Sequence, residues 1–562
     1  MSAPIYLDYA ATTPVDPAVA RAMSEALSAA ADYGNAGSVT HVFGRRAQAR
    51  IEAARVQVAS LIGAQPDEIV FTSGATESNN LAILGIARAN ADRRRHIITS
   101  RIEHKAVLDP CKQLEREGFV VTYLAPNANG SITPDAVQAW LRPDTALVSI
   151  MHVNNETGVV QDIRAIGELC RAHGVPFHTD AAQSVGKVPI DLGAQSSGAD
   201  TQAGAGDSSE PLPVDLLSFT AHKIYGPQGI GALFVRSQIR PLIRPVTFGG
   251  GQERGLRPGT PAIHQIVGFG VACELARRAL ETEPARITEL RDRLWRRLQR
   301  LGGVHLNGEA APRLPEILNV SFEGVEGESL VTSLASLAVT TGSACSSASG
   351  EPSYVLRALG RNRQLAQSSL RFSLGRGTTE DDIDRAGAMV AYRVERLRAV
   401  SPASAKNPPQ AKDLTGASVY ESDTLSALAR KYFDGLPGAG QMSADEDTKS
   451  RGKLLRKSVA AGKVIQGEAG GAAEEVWVRF HLRVVDGTVK AALFQAWGCP
   501  HTLAVAAWLG EQLPGRKRDQ LQPGTPAAWL EALEIPVEKL GRLLTVEDAL
   551  KATLQHWPDR VG

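Results

Sequence analysis

Between about residues 50 and 265, short apolar runs alternate with longer segments of helical period. EIVFTSG (68–74), HIITS (96–100), ALVSIMHVNN (146–155), VPFHTDAA (175–182) and VDLLSFTAHK (214–223) have the length of strands. SNNLAILGIARANA (78–91) and IRAIGELCRAHG (163–174) carry apolar residues at helical spacing. Strands this apolar need cover on both sides, so the alternation predicts an α/β unit: a mainly parallel sheet with helices on both faces. In such sheets ligands collect at the carboxyl ends of the strands.

From residue 265 to 400 the pattern changes to a long charged helix (285–302), short strands (317–325 and 370–375) and an amphipathic helix (380–400), which together read as a smaller α+β domain. Residues 193–213 and 401–420 are rich in Gly, Ser, Ala and Pro and too poor in apolar residues to offset the entropy of ordering, so the first reads as a surface insertion and the second as a linker. Beyond the linker, 476–498 is patterned as a hairpin around Asp486-Gly487, with helices predicted over 502–513 and 545–557. The expected organisation is an N-terminal arm (1–15) packing with the small domain, a large domain (16–264), the small domain (265–400), the linker (401–420) and a further α+β unit (421–562).

Composition narrows the function classes. A chain of 562 residues exceeds one hydrophobic core. Its 61 basic residues balance 60 acidic ones, so no net field draws it to nucleic acid or anionic lipid. No stretch of about 18 apolar residues and no basic, apolar leader occur, which predicts a protein that neither enters a membrane nor is exported. Five cysteines (Cys111, Cys170, Cys273, Cys345, Cys499) follow no disulfide or zinc spacing, so a reducing cytoplasm is expected and no metal site.

The chemistry concentrates at predicted strand ends. SFTAHKIYGPQGIG sets hydroxyls, a histidine and Lys223 where a strand stops, a combination suited to a Schiff-base lysine beside a phosphate. With TSGATESNN (72–80), RIEHKAV (101–107), HVNNETG (152–158) and HTDAAQS (178–184), this set closely resembles the class V aminotransferase family of fold-type-I pyridoxal-phosphate enzymes, from Tyr6 to about Pro402. The resemblance implies pyridoxal 5'-phosphate held on Lys223. Asp180 would keep the pyridine nitrogen protonated, and Gln183 would bond the phenolic oxygen. Asn155 would lie near that oxygen and the substrate carboxylate. His104 would stack on the ring as an acid/base candidate. Ala75, Thr76, Thr220 and His222 would hold the phosphate at a helix start, joined by Thr260 from a neighbouring subunit, which implies a homodimer.

Fold alone does not choose among the reactions of this family. Cys345 lies in TTGSACSSASGEPSYVLRALG, small and hydroxylated residues that suit a solvated loop better than a core. The run resembles the active-site loop of the iron-sulfur-assembly (NifS/IscS) type of cysteine desulfurase, and Arg371 matches the arginine that clamps the substrate carboxylate. The implied activity is a sulfurtransferase reaction: L-cysteine becomes L-alanine, Lys223 moves the α-proton, and the Cys345 thiolate takes the sulfur as a persulfide for iron-sulfur assembly or other thio-cofactors. An aminotransferase, a selenocysteine lyase, or a scaffold with a vestigial cofactor domain are the alternatives. Cys345 argues against the first, and the intact set of Lys223, Asp180, His104, Arg371 and Cys345 against the last.

Residues 421–562 resemble, more faintly, the IscU/NifU-like scaffold on which iron-sulfur clusters are built, the usual partner and sulfur acceptor of such enzymes. LARKYFDGLPGAG, FQAWGCPHTLAVAAWLGEQLPGR and IPVEKLGRLLTVEDALKATL carry the likeness. Only the second of that scaffold's three cysteines has a counterpart, Cys499. Gly541 and Arg542 replace its His-Cys pair, so the unit is expected to be degenerate and unable to hold a stable cluster.

Overall fold

The N-terminal arm supplies the first strand, β1 (Ile5–Tyr6), before the chain enters its large sheet. The structure is a computed structural model that describes residues 3–28, 33–193, 210–341, 352–400, 425–442, 463–471, 476–521, 524–536 and 539–558. Seven strands follow: β2 (Ile69–Thr72), β3 (His96–Ser100), β4 (Val120–Leu124), β5 (Thr145–Ser149), β6 (Phe177–Asp180), β7 (Leu216–Thr220) and β8 (Gly231–Val235). They form one sheet in the order β2-β8-β7-β6-β5-β3-β4. All neighbours are parallel except those of β8, which runs antiparallel to both β2 and β7.

Period-two geometry explains why these strands had to be apolar throughout. Phe71, Ile98, Val148 and Leu217 enter the core on one face of the sheet. Their chain neighbours Val70, Ile97, Leu147 and Leu216 enter a separate core on the other. Some of the polar side chains inside the sheet are satisfied across strands, while Thr179 Oγ1 is buried without a hydrogen-bond partner among the described residues. His178 Nδ1 pairs with Ser149 Oγ at 2.8 Å and its Nε2 with Ser218 Oγ at 2.9 Å, tying β5, β6 and β7 together. Burial drives that imidazole down to about 4, so it is a neutral structural group.

The small domain carries β9 (Val304–Leu306), β10 (Ile317–Phe322), β11 (Leu337–Ala338) and β12 (Ser369–Ser373). β10 is the centre of an antiparallel β12-β10-β9 sheet. The arm joins this domain: β1 pairs in parallel with β11, and Asp8 bridges to Ser373 on β12.

The C-terminal unit is an antiparallel sheet of β13 (Lys463–Gly471), β14 (Val476–Val485) and β15 (Thr488–Trp497), packed by helices that include Pro500–Gln512 and Leu540–Gln555. Its hairpin turns at Asp486 and Gly487, both with positive φ (49° and 68°), as the Asp-Gly signal demands. The unit shares one apolar core with the small domain, with Phe322 and Phe372 in the same cluster as Phe480 and Phe494. Ser329 Oγ donates to the Gly498 carbonyl at 2.8 Å, and Lys539 pairs with Glu328 at 3.1 Å. Asp434, almost buried, lies 3.6 Å from Arg393 and 4.0 Å from Arg430. Among the described residues no helix is long and apolar enough to cross a membrane.

Candidate active site

A cavity of about 510 Å³ opens at the carboxyl ends of β6 and β7. Ala75, Thr76, His104, Asn155, Asp180, Gln183, Thr220, His222 and Lys223 all line it. Ala75 begins the helix Ala75–Ala89, so the N–H groups of its first turn have no partner within the helix. The turn into that helix depends on two glycines. Gly74 has φ +152°, and a Cβ on Gly231 would come within 2.7 Å of the Gly74 Cα. Across from this helix start stand Thr220 and His222, whose Nδ1 lies 3.1 Å from Thr12 Oγ1. Burial first, then Lys223 and Lys187, hold His222 down to about 4.

Asp180 is the last residue of β6 and 6 % exposed. One carboxylate oxygen accepts from Asn79 Nδ2 at 2.7 Å and the other from the Ala182 N–H at 2.9 Å. Gln183, one turn on, donates to the Ala10 carbonyl at 2.9 Å and lies 3.5 Å from Lys187 Nζ. Lys223 ends a short 3₁₀ turn directly after β7. His104 caps the helix Lys105–Arg116: its Nδ1 accepts from the Ala106 N–H at 3.1 Å, which assigns the ring proton to Nε2. Burial lowers its pKa, opposed by Asp180 and reinforced by Lys223. The residue therefore stands as a neutral imidazole.

Two expected residues lie outside this cavity. Arg371, on β12, is 3 % exposed and donates to the Asn155 carbonyl and to Asp8 Oδ1, each at 2.7 Å, so it abuts the site from the small domain. Thr260 is exposed and lines a separate, smaller cavity. The loop before it is fixed by Glu253, at φ +47°, whose two oxygens accept from Arg55 Nη1 and Nη2 at 2.8 Å. Cys345 lies outside the described residues. The other four cysteines are buried. Burial pushes Cys170 up to about 12 and raises Cys111 and Cys273 as well, so none of these three is a thiolate near neutrality.

Sequence reasoning missed Asn79, Asp8, Glu103, Glu156 and Ser353. Asn79 stands within the TSGATESNN motif and could have been found there. Glu103, beside His104, is fully buried with Ser100 Oγ at 2.7 Å and is raised to about 8 by burial. Glu156, beside Asn155, is raised to about 7 by burial, opposed by its bond from Ser353 and by Arg371.

These donors fit pyridoxal phosphate. The helix start and hydroxyls suit a phosphate, and buried Asp180 suits a protonated pyridine nitrogen. Asn155 Oδ1 is buried without a hydrogen-bond partner among the described residues, as expected of a group that meets a bound molecule.

The comparisons agree with this geometry. The profile of the family Aminotransferase class-V matches residues 5–386. Cysteine desulfurase IscS of Salmonella arizonae is 56 % identical over 402 residues, covering 72 % of this chain and 95 % of the relative. A solved "NifS-like protein" superposes with a TM-score of 0.61 at 35 % identity, covering 69 % of this chain and 98 % of the other. A structure described as SspA in complex with cysteine gives a TM-score of 0.56 at 40 % identity, covering 66 % and 98 %. Residues beyond the matched region, and hence the scaffold likeness of the C-terminal unit, gain no support from these matches. With its polar strand-end cavity and this breadth of likeness, the chain belongs to the class V aminotransferases and, within them, to the pyridoxal-phosphate-dependent cysteine desulfurases.

Proposed function

We propose that this chain converts L-cysteine to L-alanine and takes the released sulfur onto Cys345. The carrying observation is the meeting of Lys223, Asp180 and His104 in one cavity of a chain from this family. Pyridoxal phosphate, when bound, supplies an electron sink that makes the amino-acid α-hydrogen acidic. Lys223 would hold the cofactor, and its Nζ would serve as the base that carries the α-proton. Asp180, fixed by Asn79 and the Ala182 N–H, keeps its carboxylate aimed into the cavity. Neutral His104 offers an Nε2 proton, and Arg371 orients the substrate carboxylate. The carbon–sulfur bond of cysteine breaks as a sulfur–sulfur bond forms on the Cys345 thiolate, so cysteine and a thiol give alanine and a persulfide.

The burial of the four described cysteines supports Cys345 as the acceptor. An exposed Thr260 on a pinned loop supports a homodimer in which it reaches the neighbour's phosphate. A cytoplasmic location and onward transfer to a scaffold-type acceptor complete the reading. We read the C-terminal unit as a degenerate scaffold fold that serves as a tethered docking or regulatory module. It has one cysteine, fewer than the about four ligands that a cluster needs.

Purified holoenzyme given cysteine and a reductant should yield alanine and sulfide in equal amounts. A sulfur-bearing keto acid formed only with an added amino acceptor, with neither alanine nor sulfide released from cysteine alone, would place the chain among the transaminating relatives.

A further inference from the structure

The two ends of the segment that bears Cys345 are tied to the active site by different means. Upstream, Thr340 pairs with Arg371 itself, whose N–H donates to the Thr340 carbonyl at 2.7 Å. Downstream, the Ser353 hydroxyl donates to the Glu156 carboxyl, and Tyr354 Oη donates to the Glu103 carbonyl at 2.7 Å. Glu156 follows Asn155 and Glu103 precedes His104, both cavity residues. The downstream ties therefore attach to the chain neighbours of two cavity residues, one through a side-chain carboxyl and one through a backbone carbonyl.

We propose that Ser353 and Glu156, with Tyr354 as a second tie, are positioning residues that fix where the Cys345 segment rejoins the active site. The inference rests on Cys345 being the sulfur acceptor. Glu156 is 1 % exposed and Ser353 4 %, so this is a built contact and not a surface one. Ser353 is fully committed. Its proton goes to Glu156, while its oxygen accepts from the Leu356 N–H at 3.1 Å and caps the short helix Tyr354–Ala358. Cys345 lies five residues from Thr340 and eight from Ser353. At the contour length of a polypeptide these spans reach at most about 18 and 28 Å, so both attachments bound the volume the thiol samples. Freeing the downstream end lowers the fraction of time the thiol meets the substrate sulfur without touching the cofactor cavity.

The test uses the full-length holoenzyme with Ser353→Ala, Ser353→Thr, Glu156→Gln and Tyr354→Phe, and Cys345→Ala alongside. Three quantities are measured: cofactor absorbance, the cysteine concentration that half-saturates the change in that absorbance, and the single-turnover rate of persulfide formation. Ser353→Ala is expected to slow persulfide formation about tenfold while the first two stay unchanged, with Ser353→Thr restoring most of the rate. In cofactor-free protein, the rate at which iodoacetamide labels Cys345 should also rise in Ser353→Ala and return in Ser353→Thr.

Wild-type persulfide rates in both Ser353→Ala and Tyr354→Phe would overturn the inference. So would a loss of cofactor binding matching the loss of rate. If Ser353→Ala does not fold, Glu156→Gln and Tyr354→Phe decide on the same terms. Persulfide formed at full rate by Cys345→Ala would instead defeat the assignment of the acceptor. An inactive Cys345→Ala beside an unimpaired Ser353→Ala defeats only the positioning role.

Discussion

Two regions of this molecule where strands run into helical turns carry candidate functional side chains, and their surroundings differ completely. At the ends of β6 and β7, Asp180 and Lys223 face a cavity of about 510 Å³. At the end of β15, Cys499 begins the helix Pro500–Gln512 and is fully buried, with His501 at 4 % exposure and Thr502 at 0 %. Glycine chemistry separates them. Beside the cavity of the first region, Gly74 after β2 and Gly231 at the start of β8 let two backbone segments close to within 2.7 Å of where a Cβ would sit, and Gly74 lines the cavity. At the second, the space beside Gly498 is filled by Thr502, 3.2 Å from where a Cβ would sit, and Cys499 Sγ lies 3.5 Å from Thr502 Oγ1. A polar or thiol residue at a strand end becomes a site only where the neighbouring backbone leaves room for a ligand.

Substitutions should break this contrast unevenly. Lys223→Ala is expected to remove the borohydride-reducible cofactor link and to cost about 10³-fold or more in turnover, checked by absorbance and alanine release. Asp180→Asn keeps the shape but loses the charge that Asn79 helps to hold. A fall of about 10²-fold in kcat, with cofactor content nearly unchanged, is expected.

Glu103 gives a pH signature. It is raised to about 8 from an ordinary 4.5, so between those values the folded protein holds a proton that the unfolded chain has released. Its contribution to stability is complete below about pH 4.5 and is lost as pH rises through 8. Denaturant titrations of Glu103→Gln should therefore show the variant gaining on the parent as pH rises from 5 to 8, by up to about 1.4 kcal/mol per pH unit.

Cutting the chain within residues 401–424 should leave both pieces in one complex on gel filtration, because they share a core. Separate peaks would deny that interface. The smallest effect is expected of Cys499→Ala, about 1–2 kcal/mol of stability with desulfurase turnover within about twofold of wild type.

The sheet was legible because each of its central strands is apolar on both faces, a pattern few other arrangements require. Asp180, His104 and Lys223 were legible because each stands in a short motif that ends a strand. Asp8 with Arg371 was not, since the partners are 363 residues apart and nothing in either segment encodes their meeting. Ser353 with Glu156, 197 residues apart, is hidden for the same reason. The scaffold-like segments suggested a tethered unit, but their sequence carries no mark of the apolar face that joins them to the small domain.

The most direct test of the account is peptide mapping by mass spectrometry after one turnover of the full-length holoenzyme with L-cysteine. A mass increase of one sulfur atom on the peptide containing Cys345, with Cys111, Cys170, Cys273 and Cys499 unmodified, is predicted. Sulfur first appearing on Cys499, or alanine released with Cys345 never modified, would contradict it.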